Sequence, residues 1–302
     1  MPAYWVDRNR EMEHIQSLFK SDAEYNKAVS DIYKRAENQI TKEINSELIR
    51  FADKENLSMD LAREKIKKFD VEAFQAKAKQ YVKEKNFTAR ANDELRTYNV
   101  TMRTNRLELL KANINLETVA ASDEEYKLLY SRLDEEVLNE VRRQAGILGT
   151  TAPTRAQLAR RTKAIVEADF KGTNFSNRIW RNQADLQREL EKLIEQTLIQ
   201  GRNPKEGIGK LARLVNKNVS DSRFAAERLA VTESARVQTG SQKSSFEEFD
   251  IRQYEFIAET DERTCEICAD LDGRIFNVSD MQPGENAAPM HAFCRCSTSA
   301  VG

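Results

Sequence analysis

The chain has 302 residues, a net charge of -1, an isoelectric point near 6.3 and 32% charged side chains, so it has room for more than one domain and no bulk charge that would draw it to nucleic acid or a membrane surface. Glycine (10) and proline (5) are scarce, which suits long solvated helices and argues against a sandwich or barrel. No run approaches the roughly 18 apolar residues of a bilayer span, and Met1-Pro-Ala-Tyr-Trp-Val-Asp-Arg8 lacks the basic-then-apolar order of a secretory signal.

Residues 7–54 read as one or two long helices. Ile15, Leu18, Tyr25, Val29, Ile32, Tyr33, Ala36, Ile40, Ile44, Leu48 and Phe51 recur every three or four positions with charges between them. Ser58 is placed to cap a short helix, and Asp70 to cap the one beginning Val-Glu-Ala-Phe74. A further helix is expected over 88–112. Ser122-Asp-Glu-Glu125 has the form of a capping box opening a helix that ends near Gly146. The acidic run 123–140 reads as its solvated face. Gly146, Gly149 and Pro153 mark a break, and Thr154-Arg-Ala-Gln157 opens the next helix. After a turn at Gly172, residues 177–200 carry the apolar stripe Ile179, Trp180, Leu186, Leu190, Leu193, Ile194, Leu198 and Ile199, with Trp180 read as core and Gly201 as the stop. Pro204 fits a first helical turn, and two helices, 205–217 and 221–245, are expected beyond it.

Only then does the period change. Tyr254, Phe256 and Ala258 alternate as in a strand, and Asp272-Gly273 before Arg-Ile-Phe-Asn-Val278 signals a hairpin. All four cysteines, Cys265, Cys268, Cys294 and Cys296, fall in this last stretch, with His291, one of only two histidines. Thiolates and an imidazole at this spacing suit a tetrahedral zinc site. Cys265, Cys268, His291 and Cys294 are the expected ligands. Cys296 is the alternative fourth, less favoured because Cys294 follows His291 after a two-residue gap. Four protein donors leave no open position for water, so the ion is expected to be structural. A module of some 50 residues buries little core alone, and such an ion would stabilise it. Thiols confined to one metal-type cluster fit a reducing compartment.

Charge is unevenly spread: residues 151–250 carry 18 basic and 13 acidic side chains, and residues 251–302 carry 4 and 9. Arg155, Arg160, Arg161 and Lys163 form a basic cluster that is either a solvated face or a non-specific contact to DNA phosphates. No phosphate loop, serine elbow or His-Glu-x-x-His helix is present. Cys-x-x-Cys with His-x-x-Cys is similar to treble-clef nucleases of the His-Asn-His type. Those need a further histidine as base, and His14, the only other one, reads as an ordinary helical residue.

Phe175-Ser-Asn-Arg-Ile-Trp-Arg-Asn182, Glu227-Arg-Leu-Ala-Val-Thr-Glu-Ser234 and above all Asp261-Glu-Arg-Thr-Cys265, Cys268, Leu271-Asp-Gly273, Pro289, His291 and Cys294-Arg-Cys296 resemble the Mu F-like family of phage head morphogenesis proteins. The resemblance covers roughly residues 150–300. It implies a minor capsid protein of a tailed bacteriophage, present in few copies and associated with the portal and inner head. It also implies contact with major capsid or scaffolding protein, and help with DNA packaging or delivery. Some relatives carry a toxin domain after the motif; none is expected here, and Ser297-Thr298-Ser299 reads as a tail. The location implied is the virion, near the portal, after a stage in the host cytoplasm.

The expected fold is mainly α: long helices followed by a small zinc-stabilised α+β C-terminal module, with no enzyme activity and no membrane contact. Its parts are a helical region over 1–150 for docking to portal or capsid, a helical core over 151–248 and the Cys/His module over 249–302. A DNA-binding protein acting on packaged or ejected DNA is the alternative, and a metal nuclease a remote third.

Overall fold

The computed structural model describes residues 8–52, 68–85, 87–101, 106–199, 204–258 and 264–301. In chain order these form α1 (Arg8–Ala52), α2 (Lys68–Lys85), α3 (Ala89–Thr101), α4 (Arg106–Ile147), α5 (Arg155–Glu167), α6 (Phe175–Ile199) and α7 (Pro204–Glu248). Then come β1 (Gln253–Ile257), α8 (Glu266–Leu271), β2 (Ile275–Asn277), a single 3-10 turn (Val278–Asp280) and β3 (Ser297–Val301). The architecture is mainly helical with a small antiparallel sheet near the C-terminus, as the periodicity implied. No helix among the described residues is long and apolar enough to cross a membrane.

Several boundaries differ from the sequence reading, each for a physical reason. The helix that Ser58 would cap, and Gly201, lie outside the described residues. Asp70 sits inside α2, which begins at Lys68. Residues 88–112 belong to two helices, α3 and α4. Ser122 opens nothing: α4 runs through it, Ser122, Asp123 and Glu125 are buried, and the two acids are used elsewhere. Asp123 accepts the Thr88 backbone N–H (3.2 Å) and hydroxyl (2.6 Å) at the start of α3, and Glu125 accepts the Tyr33 hydroxyl (2.7 Å). The acidic run is therefore not a uniformly solvated face, since Asp123, Glu125 and Glu140 are all buried. The helices expected over 205–217 and 221–245 are one helix, α7. By contrast Thr154 caps α5 in a complete box with Gln157, because both partners are local.

Two compact units, each discontinuous in sequence, divide the chain: Met1–Lys27, Lys127–Arg178 and Ala226–Gly302 in the first, Ala28–Tyr126 and Ile179–Ala225 in the second. In the second, α4 is buried on nearly every side from Leu109 to Asp123. Leu109, Leu116 and Val119 pack there with Phe74 of α2, Phe87, Leu95 of α3 and Trp180 of α6. Trp180 is core, as expected, with the Arg90 guanidinium over its ring.

In the first unit α5 lies close against α7. A Cβ on Gly240 would meet Ile165 Cγ2 at 3.2 Å, so the glycine permits the approach. The sheet order is β2-β1-β3, all antiparallel, with Tyr254 opposite both Phe276 and Ala300. Phe246 at the end of α7 packs on Tyr254, Val278, Met281 and Ala300, which seats one face of the sheet on the helix. Asp272-Gly273 is not a two-residue hairpin, since α8 separates β1 from β2. It is the turn leaving α8, where Gly273 takes φ +73 and donates to Phe256 O (2.9 Å), while Asp272 accepts from Ala258 N (2.8 Å). Ser297-Thr298-Ser299 is not a tail but part of β3.

Candidate metal centre

The cluster is built from two arms. Cys265 is the N-cap of α8 and its Sγ accepts the Cys268 backbone N–H (3.4 Å), so a single helical turn brings the first two thiols together. The second arm is the irregular run from His291 to Cys296. There Phe293 takes φ +63, and Cys294 N–H donates to His291 O (3.3 Å), a tight turn that returns Cys294 toward the histidine. Phe293 N–H also donates to Thr232 Oγ1 (3.3 Å), which ties this arm to α7.

The structure draws all five sequence-predicted donors into one cluster, as two overlapping triads that share Cys268. In each of Cys265–Cys268–His291 and Cys268–Cys294–Cys296, the donor atoms lie within 4.8 Å of one another. Cys268 Sγ is 3.9 Å from Cys294 Sγ and 3.4 Å from His291 Nε2. In a tetrahedron with Zn–S near 2.3 Å and Zn–N near 2.0 Å the corresponding edges are about 3.8 and 3.5 Å. The donor set and these edges fit a zinc ion. His291 Nδ1 lies 2.7 Å from Ala292 O, and a carbonyl can only accept, so Nδ1 carries the proton and Nε2 is left to turn its lone pair toward the thiols.

All four cysteines are free, and Cys268, Cys294 and Cys296 are buried. Hydrogen bonding with Cys294 and then Cys296, together with burial, pushes the Cys268 thiol up, while hydrogen bonds from Cys268 and Cys296 pull the Cys294 thiol down. Cys268 and Cys294 stand at sulfur hydrogen-bonding distance, where a cation would replace the proton between them. A cleft of about 760 Å³ adjoins the cluster, walled by Phe19 and Asn26 of α1, Val231 of α7, His291 and Phe293.

Residues that no spacing argument reached hold the second arm. Arg295, between two candidate ligands, donates through Nε (2.8 Å) and Nη2 to Asp22 of α1, and Asp22 also accepts from Arg132 of α4 (2.6 Å). Ser297 donates to Glu11 (3.0 Å) and accepts from Gln238 (2.9 Å) and Gln242 (3.0 Å). Burial raises the Glu11 carboxyl against the pull of Arg143. In Glu140, burial is outweighed by the charge and hydrogen bond of Arg143, which hold that carboxyl below the usual range. The Cys-Arg-Cys order was visible in the sequence; its carboxylate partner, 273 residues earlier, was not.

His14 is on α1 beside Glu140 (3.5 Å), and burial lowers its pKa. The four basic candidates divide. Arg155 pairs with Asp134 and Glu135, and Arg161 with Glu248 (2.6 Å) and Ser245. Arg160 and Lys163 are exposed on α5, three residues apart.

Residues 188–299 match the family described as Phage Mu protein F like protein. No curated protein and no solved structure matches the chain. The matched span begins within α6 and takes in α7 and all five donors.

Proposed function

From the premise that over residues 188–299 this is a Phage Mu F-like chain, we propose that it is a minor capsid, head morphogenesis protein of a tailed bacteriophage, acting by protein contact rather than catalysis. What carries the reading is the family match over a segment whose side chains act as one unit: α7 holds the ligand-bearing turn through Thr232, and β3 follows directly on Cys296. In this reading it sits inside the head near the portal after assembly in the host cytoplasm. Residues 1–150 dock to portal, major capsid or scaffolding protein, residues 151–248 are the helical core, and residues 249–302 are stabilised by zinc. Purified particles, cross-linked and analysed by mass spectrometry, test it. Cross-links from this chain to the portal are expected, and absence of the chain from particles overturns the reading.

The ion in this proposal is structural zinc held by Cys265, Cys268, His291 and Cys294, with Cys296 as the alternative fourth ligand. Elemental analysis is expected to give one zinc per chain, lost in Cys268→Ser. Cys294→Ser and Cys296→Ser discriminate between the two candidates, since only the true ligand's loss weakens retention against a chelator. A chain purified in zinc that carries none refutes the site.

A second reading, contact with packaged or ejected DNA, is favoured by the exposed pair Arg160 and Lys163 in the basic stretch. It predicts binding that weakens steeply with salt and falls in Arg160→Ala/Lys163→Ala. Unchanged affinity in that double variant removes it.

A further inference from the structure

The second ligand arm, residues 291–296, belongs to no helix or strand. Its shape is set by what its side chains hold. Thiols and imidazole on one side face the candidate ion, and on the other side Arg295 faces α1. Arg295 and Asp22 are both buried, with side chains 4% and 9% exposed, and the guanidinium meets the carboxylate through two of its nitrogens. One residue beyond Cys296, Ser297 reaches Glu11, three helical turns before Asp22 on α1. The same carboxylates are held from α4, Asp22 by Arg132 and Glu11 by Arg143 (2.5 Å). The first part of α1 is therefore pinned by the two residues that flank and follow the last candidate ligands.

A bidentate Arg–carboxylate contact demands a fixed backbone behind the arginine. Here Arg295 is flanked on each side by a candidate ligand. An ion that draws Cys294 or Cys296 toward Cys268 and His291 also fixes the direction in which Arg295 leaves the chain. Without the ion the arm keeps the Thr232 contact, but its thiols are drawn together only by weak sulfur hydrogen bonds, and a buried pair held in poor geometry is worse than one exposed to water.

We propose that the metal centre is a latch on the N-terminal helix: ion binding sets Arg295, and Arg295 holds residues 8–27 of α1 against the C-terminal module. The proposal rests on the metal reading above. Arg295 and Asp22 act in it as positioning residues and touch no ion. Coupling of this kind is reciprocal, so a change at Asp22 must be felt at an ion bound by residues more than 240 positions away in sequence.

The test uses the full chain loaded with zinc, with competition against a chromophoric chelator for affinity and hydrogen exchange for the helix. Asp22→Asn is expected to weaken zinc binding about tenfold or more, the size typical of residues that orient metal ligands from behind. Stripping zinc from the parent chain is expected to speed amide exchange across residues 8–27 while residues 109–121 of α4 stay protected. If Asp22→Asn does not fold by circular dichroism, Arg295→Gln is read in the same two ways, and exchange in the stripped parent chain needs no variant. Zinc bound with unchanged affinity in the folded variant, or residues 8–27 equally protected with and without zinc, overturns the latch and leaves the metal site standing. A parent chain that binds no zinc overturns both.

Discussion

Glu125 is wholly buried on α4, where Tyr33 donates to one carboxyl oxygen and the other has no partner among the described residues. Burial raises its pKa from 4.5 to about 7, against the smaller opposing effect of the Tyr33 hydrogen bond. A carboxyl raised on folding binds its proton more tightly in the folded state. Its ionisation therefore costs nothing below the unfolded value and destabilises progressively as pH climbs from there through about 7. The loss at full ionisation is on the order of 3 kcal/mol. Glu125→Gln keeps an oxygen for Tyr33 and cannot ionise. In urea unfolding it is expected to match the parent within about 1 kcal/mol at pH 5 and to exceed it by about 2–3 kcal/mol at pH 8. A difference independent of pH would show that Glu125 does not titrate in this range. The sequence marked this residue only as the closing member of a supposed capping box, not as a buried acid. It sits in an acidic run whose members face different ways, and only the packing of α1 on α4 decides which of them lose water.

α5 shows what sequence can and cannot show of an element. Its start was legible because the capping box is closed by Thr154 and Gln157 within one turn. Thr154→Ala is expected to cost about 1 kcal/mol, read as a shift in the urea midpoint with unchanged slope. Its end was not legible, because the group that satisfies the last carbonyls comes from α7. Arg236 donates to Ile165 O (2.7 Å) and Val166 O (2.9 Å), and its Nε is held by buried Glu233 (2.6 Å). Arg236→Met would orphan those carbonyls and leave Glu233 buried without its cation, so a loss of about 3–5 kcal/mol is expected. Urea denaturation checks it, and a loss under about 1 kcal/mol would mean the site relaxes to admit water. Thr232 and Glu233, in the helical motif that resembles the phage family, thus have visible tasks: one steadies the ligand turn and the other orients the arginine that closes α5.

For the whole molecule, periodicity was enough to read long helices and a late change to strands, because both patterns are local. Helix junctions were read less well. Polar residues such as Ser122 and Asp123 look like caps in a sequence, yet both are buried inside α4, and Asp123 is paired across the bundle with Thr88. Val219-Ser220-Asp221 does not interrupt α7. The metal-type cluster was legible because its residue types are rare and grouped; its support on α1 and α7 was not, since those partners lie far off in sequence. If zinc stabilises the first unit, a chelator should lower the thermal midpoint by several degrees and stoichiometric zinc should restore it. A midpoint indifferent to both would deny the ion a structural role.

The contact between Glu11 and Ser297 spans 286 residues. At a synthesis rate of about 5–20 residues per second, Glu11 is made roughly 15–60 s before Ser297 exists. Arg132 and Arg143 of α4, at separations of 110 and 132 residues, come much sooner. The nascent chain can therefore pair α1 with α4 early, while the surface that receives Arg295 and β3 waits uncovered. That interval leaves the surface open to misassembly during synthesis, and it lasts until β3 has emerged from the ribosome.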